Sequence, residues 1–326
     1  MKRIAIIGAG LSGLTLAHAL KGRAEITVFE KARGPGGRTA TRRECAYRFD
    51  HGAPCFTVRT PAFAAWLAPL QAAGVVAEWR GQTVNLQAGR VTGIRHRAER
   101  LLVGVPGMNA LAGYLAANLD VRVGIDVAPL AAGGRPYPIA SVSGETLGTF
   151  DLVVSTAPAH QTRALLGAAA ETVVLPEATM KPHHVLMVAF DKPWQQDWIA
   201  ARVMEGPLRR ITVDSTKPGR AGDATTLVVQ TRSRWSRLHC DTPAELLAPL
   251  LLHALRAAVP FDLPEPTLVK AHRWRSAVVV RGTRPGPWIA PEGALAATGD
   301  WAATSRIEEV CMGALDLAER LKRDLP

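Results

Sequence analysis

The amino-acid sequence predicts an α/β fold of two domains: a discontinuous domain on a parallel sheet, and an α+β domain on a mostly antiparallel sheet. Three observations predict this architecture. The N-terminus follows the order strand, glycine turn, helix and strand, which is a βαβ unit. Residues 295–323 return to a short strand, a Gly-Asp pair and a helix. Between them, residues 170–285 alternate apolar segments with Pro- and Gly-containing turns, as antiparallel sheets do.

The first elements follow from apolar patterning. Residues 3–7 form a short apolar run that ends in glycine, which predicts a buried parallel strand. Residues 11–21 are rich in Leu and Ala and predict a helix, and residues 25–30 alternate as a strand does. Because Gly8, Gly10 and Gly13 interrupt the apolar run and a strand follows, we interpret this N-terminus as folded structure and expect no export signal.

The later elements follow the same signals. Helices are predicted at 61–74, from about 107, at 243–258 and at 305–323. Strands are predicted at 75–79, 82–86, 90–94, 121–130, 151–158, 184–190, 225–231 and 295–300. The first three of these strands are expected to be short and antiparallel, and residues 129–138 to form a hairpin or a loop.

Composition limits the classes of partner. The chain has 326 residues, of which 48% are apolar and 21% charged, so two globular domains with a sizeable core are expected. A net charge of +11 suits an anionic partner. The alternative is that the charge only reflects an arginine-rich surface. No helix-turn-helix, zinc-finger or RNA-binding signature accompanies the charge, and no apolar run reaches membrane-spanning length. We therefore expect neither a nucleic-acid nor a membrane partner.

The cysteines and histidines indicate no metal. Cys45, Cys55, Cys240 and Cys311 have spacings that match neither a zinc site nor a disulfide framework. The pair at positions 183 and 184 lacks carboxylate or cysteine company. We therefore expect no metal site and a reducing, cytoplasmic setting.

The glycine turn carries a dinucleotide-binding fingerprint. Gly8, Gly10 and Gly13 fit G-x-G-x-x-G between the first strand and the first helix. In this arrangement the first glycine allows the tight turn, the second lets backbone approach a pyrophosphate, and the third lets helix and strand pack closely. The helix N-terminus adds free N–H groups and partial positive charge, and Glu30 ends the second strand where it can accept bonds from ribose hydroxyls. The alternative is a tight turn in an unliganded α/β domain.

The segment after Glu30 favours FAD over NAD. Gly36-Gly37-Arg38 resembles the extended signature of glutathione-reductase-like flavoproteins and of the flavin amine oxidase superfamily. The resemblance implies that Arg38 lines the pyrophosphate with charge-assisted hydrogen bonds, the alternative being a surface charge. It also implies that His51, Gly52 and Ala53 bring backbone close to the isoalloxazine ring.

A second flavin-binding element is predicted at Gly299-Asp300. In similar flavoproteins this aspartate holds a ribityl hydroxyl, and the next helix points its N-terminus at the flavin N1–C2=O edge. The alternative for Asp300 is a turn or helix-capping residue. The predicted cofactor-binding residues are Gly8, Gly10, Leu11, Ser12, Gly13, Glu30, Lys31, Gly36, Gly37, Arg38, His51, Gly52, Ala53, Val127, Ala157, Gly299, Asp300, Arg306 and Ile307.

These motifs together resemble the renalase-type flavoproteins, in particular the bacterial branch. The resemblance rests on GAGLSGLTLAHAL, VFEKARGPGGRTATRR, YRFDHGAPCFTVR, VPGMNALAGYLA, AHRWRSA and GDWAATSRIEEVCMGALDLAERL. It implies an FAD-dependent oxidase that takes a hydride from 2- or 6-dihydro isomers of NAD(P) to flavin N5, releases NAD(P)⁺ and passes the electrons to O₂ as H₂O₂. The implied partners are a small-molecule dinucleotide and O₂.

Such a substrate needs orientation rather than a strong base, because no amine proton has to be removed. Aromatic walls suit a pyridine ring and cations suit its phosphates. We predict that His272, Trp274 and Trp235 position the substrate. Alternation in TRSRW and HRWR would place some of these residues on one sheet face with nearby arginines; the alternative is a solvated face. The arginines are Arg232, Arg234, Arg237, Arg273 and Arg275.

We assign residues 1–60, 100–166 and 286–326 to the discontinuous Rossmann-like FAD-binding domain, and 61–99 and 167–285 to the α+β substrate domain. Cys55 and Cys311 lie near flavin segments but fit no linkage pattern, so non-covalent FAD is expected. Three other functions remain open: a flavin amine oxidase or desaturase acting on an amine or apolar substrate, a flavin-binding scaffold without turnover, and an NAD-linked dehydrogenase that shares the fold.

Overall fold

The computed structural model describes residues 1–133, 135–167, 169, 178–220, 222–280 and 286–323. The chain divides into two compact units. Unit 1 comprises Met1–Arg38, Leu111–Met180 and Val278–Pro326, and unit 2 comprises Thr39–Ala110 and Lys181–Ala277. Residues 39–60, which we assigned to the FAD-binding domain, pack within unit 2, so their contact with FAD stays a prediction. The predicted boundary at residue 285 lies outside the described residues.

The described strands, in chain order, are β1 Arg3–Ile7, β2 Glu25–Glu30, β3 Arg42–Glu44, β4 Tyr47–Phe49, β5 Val76–Glu78, β6 Gln82–Gln87, β7 Arg90–Ile94, β8 Leu102–Gly104, β9 Asp120–Val123, β10 Tyr137–Ala140, β11 Thr146–Phe150, β12 Leu152–Ser155, β13 Met180–Phe190, β14 Trp198–Val203, β15 Leu208–Val213, β16 Thr225–Thr231, β17 Leu268–Val279, β18 Trp288–Ile289 and β19 Leu295–Ala297. The described α-helices are α1 Leu11–Leu20, α2 Pro61–Ala72, α3 Ala110–Ala116, α4 Ala159–Leu166, α5 Ser233–Leu238, α6 Ala244–Ala258 and α7 Ile307–Lys322.

Unit 1 is built on a six-stranded sheet in the order β18-β19-β12-β1-β2-β9. Every neighbouring pair is parallel except β18 with β19. The central strand β1 is apolar throughout its middle and buried because helices cover both faces of such a sheet. Helix α1 packs against β1, β2 and α7, so the N-terminal and C-terminal elements predicted from sequence share one core.

Unit 2 is built on a seven-stranded sheet in the order β17-β13-β16-β15-β14-β6-β7. Its described pairs are antiparallel, except for β14 with β6, which run parallel. The prediction of a mostly antiparallel sheet is consistent with this order. Within the described chain, no helix combines the length and apolarity needed to cross a membrane.

The two faces of the unit 2 sheet bury different residues, because side chains alternate along each strand. Leu186 and Val188 of β13 pack with residues of α6 on one side, which we call the α6 face. Val185 and Met187 of the same strand pack with Phe49 on the other side, which we call the His51 face because the segment after Phe49 lies there.

The three strands between residues 75 and 94 are antiparallel, as predicted: β6 pairs with β7, and β5 pairs with β8 in a separate two-stranded sheet. One sequence prediction about unit 2 is wrong. The alternation in TRSRW does not continue strand β16, which ends at Thr231 before helix α5 begins at Ser233. The six residues of α5 carry two arginines and one tryptophan, so a short helix produced a pattern that also fits a strand.

Candidate functional site

The glycine turn between β1 and α1 is held by close backbone packing. The Gly8 amide donates to the Phe29 carbonyl at 2.8 Å, and Gly8 has φ +110°, which favours glycine. A Cβ at Gly13 would lie 2.0 Å from the Gly8 carbonyl oxygen. Both glycines are therefore required by the fold itself, as the fingerprint predicts.

Gly10 is required by neither packing nor backbone conformation. Its φ is −76°, and a Cβ there would meet nothing within 4 Å. It is the N-cap residue of α1, whose first-turn N–H groups have no partners within the helix itself. The hydroxyl of Ser12, in the first helical turn, is buried and has no hydrogen-bond partner among the described residues. Approach of a pyrophosphate, which the fingerprint predicts, would account for the open space at Gly10 and for the unpartnered hydroxyl.

The Glu30 carboxylate, at the end of β2, is fixed by two backbone amides. It accepts from Ala9 at 2.9 Å and from Ala32 at 2.8 Å. A carboxylate has about four acceptor positions, so two remain for ribose hydroxyls. The neighbouring Lys31 is engaged differently, since its ammonium donates to the Gln161 side chain at 3.3 Å.

The second glycine loop packs against the first. The Gly36 amide donates to the Ala9 carbonyl at 2.8 Å, and Gly36 forms an isolated bridge with Gly10. A Cβ at Gly37 would lie 3.5 Å from the Gly10 Cα. The loop therefore packs directly against the turn, and its contact with a pyrophosphate stays a prediction.

Arg38 and Asp300 join the two flavin elements directly. The guanidinium donates to both carboxylate oxygens of Asp300, at 2.5 and 2.8 Å, across 262 residues of sequence. Ser305 donates a third hydrogen bond to Asp300 at 2.8 Å. Such a bidentate ion pair fixes the orientation of both side chains. Arg38 is therefore not a solvated surface charge, and sequence reasoning missed its partner.

Helix α7 begins at Ile307, with Arg306 as its N-cap residue. Its first turn carries Glu308 and Glu309, and carboxylates there interact favourably with the helix dipole. Arg306 lies 3.8 Å from a Glu309 oxygen. The flavin-facing role of this N-terminus stays a prediction.

Two further predicted cofactor residues of unit 1, Val127 and Ala157, make backbone contacts within the fold. Val127 is buried and forms an isolated antiparallel bridge with Ser141. The Ala157 carbonyl accepts from Trp301 Nε1 at 3.1 Å and from the Thr162 hydroxyl at 3.0 Å. These bonds place Ala157 directly after β12, beside the Gly8 turn that Thr156 contacts.

In unit 2, three predicted residues form one aromatic cluster on the His51 face. The ring of His51 lies 4.9 Å from His272 and 5.1 Å from Trp274, and the last two rings are 4.7 Å apart. Trp274 donates its Nε1–H to the His51 carbonyl at 2.8 Å. His272 and Trp274 alternate on β17 and so share a face, as HRWR predicts.

Both histidines of this cluster are neutral near pH 7. Burial lowers the pKa of His51 to about 4, with further lowering from His272 and Arg42. Burial likewise lowers the pKa of His272 to about 4, helped by Arg42 and Arg273. His51 Nδ1 and His272 Nε2 are buried without a hydrogen-bond partner among the described residues. The cluster thus offers aromatic surface and unprotonated ring nitrogens.

A buried four-charge cluster holds the segment that carries His51. Asp50 accepts from Lys217 at 2.7 Å and from the Thr41 hydroxyl at 2.6 Å, and lies 2.7 Å from Arg220. Asp214 pairs with the same two cations and accepts from the Asp50 amide. Burial alone would raise the pKa of Asp50, but Lys217 and Arg220 outweigh it and lower it.

Sequence reasoning missed this cluster. Lys217 is fully buried, which is rare for lysine unless it is paired. The only local signal was the i, i+3 spacing of Asp214 and Lys217 in a Pro- and Gly-containing segment, and that spacing is common on surfaces. Its partner Asp50 lies far away in sequence, so the cluster is visible only in the fold.

Residues 51–55 run across the strands of the His51 face. The Gly52 carbonyl accepts from Gln230 of β16 at 3.0 Å. The Cys55 sulfur accepts from Arg210 of β15 at 3.2 Å. Together with the bond from Trp274 of β17 to His51, these contacts fix the segment predicted to lie near the flavin.

Trp235 does not share this face, and the prediction that alternation would align it with Trp274 is wrong. It lies on α5 and packs into the α6-face core, with its ring 5.7 Å from His184. The nearby Arg273 also points away from the His51 face, donating to the Cys240 carbonyl. Arg232 donates to the carbonyls of Gly206 and Val203.

The cysteines are all free thiols in the structure. Burial raises the pKa of Cys311 to about 12, so this thiol is not an available nucleophile near pH 7. Among the described residues, no group of three or more His, Cys, Asp or Glu side chains could hold a metal ion.

Comparison with solved structures shows the fold. A protein from Exiguobacterium sp. 255-15, described as a candidate protoporphyrinogen oxidase, matches with a TM-score of 0.79 at 14% identity over 99% of both chains. Putrescine oxidase bound to putrescine matches with a TM-score of 0.70 at 13% identity, and a triple mutant of putrescine oxidase with 0.73 at 14%, each over 99% of both chains.

Comparison with protein families covers nearly the whole chain. The NAD(P)-binding Rossmann-like domain matches residues 6–70, the part that contains both glycine loops. The flavin containing amine oxidoreductase profile matches residues 70–303, which is more than half of the chain and ends after Asp300. The glycine turn at residues 8–13 and the glycine loop at residues 36–38, which together form what we call the glycine cradle of unit 1, fit FAD. The chain is an FAD-dependent oxidoreductase that belongs to the flavin containing amine oxidoreductase family.

Proposed function

We propose that this flavoprotein is a renalase-type oxidase of 2- or 6-dihydro-NAD(P). The observation that carries the proposal is the aromatic cluster of His51, His272 and Trp274. Its two imidazoles are neutral near pH 7, and the neighbouring carboxylate, Asp50, is already paired with cations. When bound, FAD would supply the redox chemistry by which a dihydro-NAD(P), O₂ and one proton from solvent give NAD(P)⁺ and H₂O₂.

Unit 1 would bind and orient the cofactor. The amides at the start of α1 would hold its pyrophosphate, and the two remaining acceptor positions of Glu30 its ribose hydroxyls. The Arg38–Asp300 pair links the two glycine elements that line the same cradle. We propose that FAD is held non-covalently in the glutathione-reductase-like manner, since the Cys311 thiol stays protonated.

The cluster on the His51 face would orient the substrate ring. The indole and imidazole rings present flat apolar surface to a pyridine ring. A neutral imidazole keeps one ring nitrogen as an acceptor, which could receive a hydrogen bond from a carboxamide. No proton has to leave the substrate carbon as H⁺, so the low basicity of these two imidazoles is no obstacle to hydride transfer.

The charges around the cluster disfavour a cationic amine. The cation Arg42 lowers the pKa of His51 but is itself paired with Glu44 at 2.6 Å, and the nearby Asp50 is paired with Lys217 and Arg220. A protonated amine that entered here would have to compete with these cations for the carboxylates.

An anaerobic reduction assay tests the proposal. The FAD-loaded protein is mixed with 6-dihydro-NAD(P), with 2-dihydro-NAD(P) and separately with putrescine, and the flavin absorbance is followed. We expect rapid bleaching by at least one dihydro isomer and none by the amine. Rapid bleaching by putrescine with none by either isomer would refute the proposal.

Two tryptophan variants connect the assay to the cluster. Trp274→Phe removes the bond from the indole to His51 and is expected to raise the donor concentration for half-maximal bleaching. Trp194→Phe is the matched control, because Trp194 donates to a backbone carbonyl at the same 2.8 Å distance but on the α6 face. An equal effect of both changes would point to general loss of packing.

A second candidate is a flavin amine oxidase or desaturase. The family profile over residues 70–303 and the likeness to putrescine oxidase favour it. The same assay separates the two candidates, since only the second accounts for bleaching by an amine.

A further inference from the structure

Four arginines gather on the His51 face, away from the aromatic cluster. Arg202 of β14 lies directly opposite Arg210 of β15 in the ladder. Arg95 comes directly after β7 and donates its amide to the Thr83 carbonyl at 2.6 Å, and Arg97 donates its Nε–H to the Thr83 hydroxyl at 3.3 Å. Opposite residues in a ladder share a face, which places Arg202 and Arg210 with Gln230 on the His51 side.

These charges are not balanced by carboxylates. None of the four arginines forms a salt bridge with a carboxylate in the part of the chain that the structure describes. Burial lowers the pKa of Arg95, followed by repulsion from Arg202 and Arg210. Glu99 attracts Arg97 less strongly than Arg210 and Arg95 repel it, and Glu99 is itself paired with Arg59 at 2.5 Å.

Burial also lowers the pKa of Arg97, with repulsion from Arg210 and Arg95 as the next causes. Like charges directly opposite each other on neighbouring strands destabilise a sheet. A bound polyanion would reverse this repulsion into attraction. Arginine is the side chain best suited to phosphate, because its planar fork donates two parallel hydrogen bonds.

The arginine group and the aromatic cluster lie on one surface. Strands β17 and β15 are three steps apart in the sheet order, which corresponds to about 14 Å at the usual strand spacing. The segment from His51 to Cys55 spans that distance, because it contacts Trp274 at one end and Arg210 at the other. A ligand with a planar ring and a phosphate-bearing extension matches this layout.

We propose that Arg95, Arg97, Arg202 and Arg210 form a subsite for the phosphate groups of the substrate. The assignment to substrate rests on the proposed function, whereas binding of a phosphate anion by the four arginines does not. It also makes the hydride donor a nucleotide rather than a bare dihydropyridine.

Charge-removing variants of the FAD-loaded protein test this subsite. Arg202→Gln and Arg210→Gln each remove one charge, and Arg202→Lys retains it. Arg90→Gln is the matched control, since Arg90 is an exposed arginine of the same sheet outside the group. The first readout is the Kd of inorganic pyrophosphate by titration calorimetry, and the second is the Kd of NAD⁺.

We expect each Gln variant to raise both Kd values about tenfold and to make binding less dependent on salt concentration. Arg202→Lys should raise the two Kd values by a smaller factor. Arg90→Gln should bind like the unaltered protein. Unchanged pyrophosphate binding in both Gln variants would overturn the subsite. Weakened pyrophosphate binding with unchanged NAD⁺ binding would mean an anion site unrelated to the substrate, and would also overturn it.

A third readout distinguishes loss of the subsite from damage to folding and from failure of the proposed function. Flavin bleaching is followed with 6-dihydro-NAD and with 1-methyl-1,6-dihydronicotinamide, which has no phosphate. The Gln variants should need about tenfold more of the first donor and no more of the second. If neither donor bleaches the flavin but pyrophosphate binding still depends on Arg202, the proposed function fails and the anion site stands.

Discussion

At the scale of single residues, the three glycines of the N-terminal turn have different causes. Gly8 and Gly13 are required by the protein, because added side chains would strain the backbone or strike a carbonyl. Gly10 has ordinary backbone angles and open space in front of its Cα. The fingerprint in the sequence could not distinguish these roles, since all three positions are simply glycine.

Alanine variants therefore separate fold from cofactor binding. Gly13→Ala should lower the free energy of unfolding of the FAD-free chain by about 1–3 kcal/mol or more, because its methyl group meets backbone that cannot move easily. Gly10→Ala should change it by less than about 1 kcal/mol but weaken FAD binding at least tenfold. Urea unfolding and FAD titration measure the two effects. A Gly10→Ala protein that binds FAD normally would contradict the cradle.

The neutral histidines predict the pH dependence of flavin reduction. With pKa values of about 4, His51 and His272 stay unprotonated from pH 8 down to about 5. The limiting rate of bleaching by 6-dihydro-NAD should therefore be constant between pH 6 and 8, as measured by stopped flow. An inflection near pH 6.5 that disappears in His272→Gln would contradict the assignment.

At the scale of elements, local patterns predicted most helices and strands, and long-range pairing decided the sites. The βαβ unit, α2, α6 and α7 are visible in sequence because each has its own periodicity and end signals. The Arg38–Asp300 pair, the Asp50–Lys217 pair and the arginine subsite join segments far apart in the chain. No local pattern encodes such pairs, so sequence reasoning pointed instead to the arginines near α5 and β17, whose contact with substrate stays a prediction.

The buried four-charge cluster stabilises the strand end before His51 through balance of charge. Lys217→Met leaves two buried carboxylates with only Arg220 and should destabilise the protein by about 3–5 kcal/mol. Adding Asp214→Asn restores neutrality, so the double variant should be more stable than the single one. Urea unfolding compares them, and a double variant that is less stable than Lys217→Met would exclude charge balance as the cause.

At the scale of the whole molecule, four buried histidines determine a loss of stability in mild acid. His51, His183, His184 and His272 all have pKa values lowered to about 4, and burial is the first cause for each. The unfolded chain binds protons at these sites below about pH 6.5, whereas the folded chain does not. Stability should therefore be full above pH 6.5 and fall as the pH drops towards 4.

Thermal unfolding at pH 7.5 and pH 5.0 measures this loss. We expect a lower Tm at pH 5.0, and a smaller difference between the two pH values in His183→Gln. A Tm that is equal or higher at pH 5.0 would show that these histidines are protonated in the folded state.

The most direct test of the central claim is a deuterium experiment on the FAD-loaded protein. 6-Dihydro-NAD that carries two deuterium atoms at C6 is mixed anaerobically with the protein, and both the bleaching rate and the product are measured. Our account predicts slower bleaching than with the unlabelled donor, and NAD⁺ that has lost one deuterium. No bleaching by either donor, together with rapid bleaching by putrescine, would contradict it.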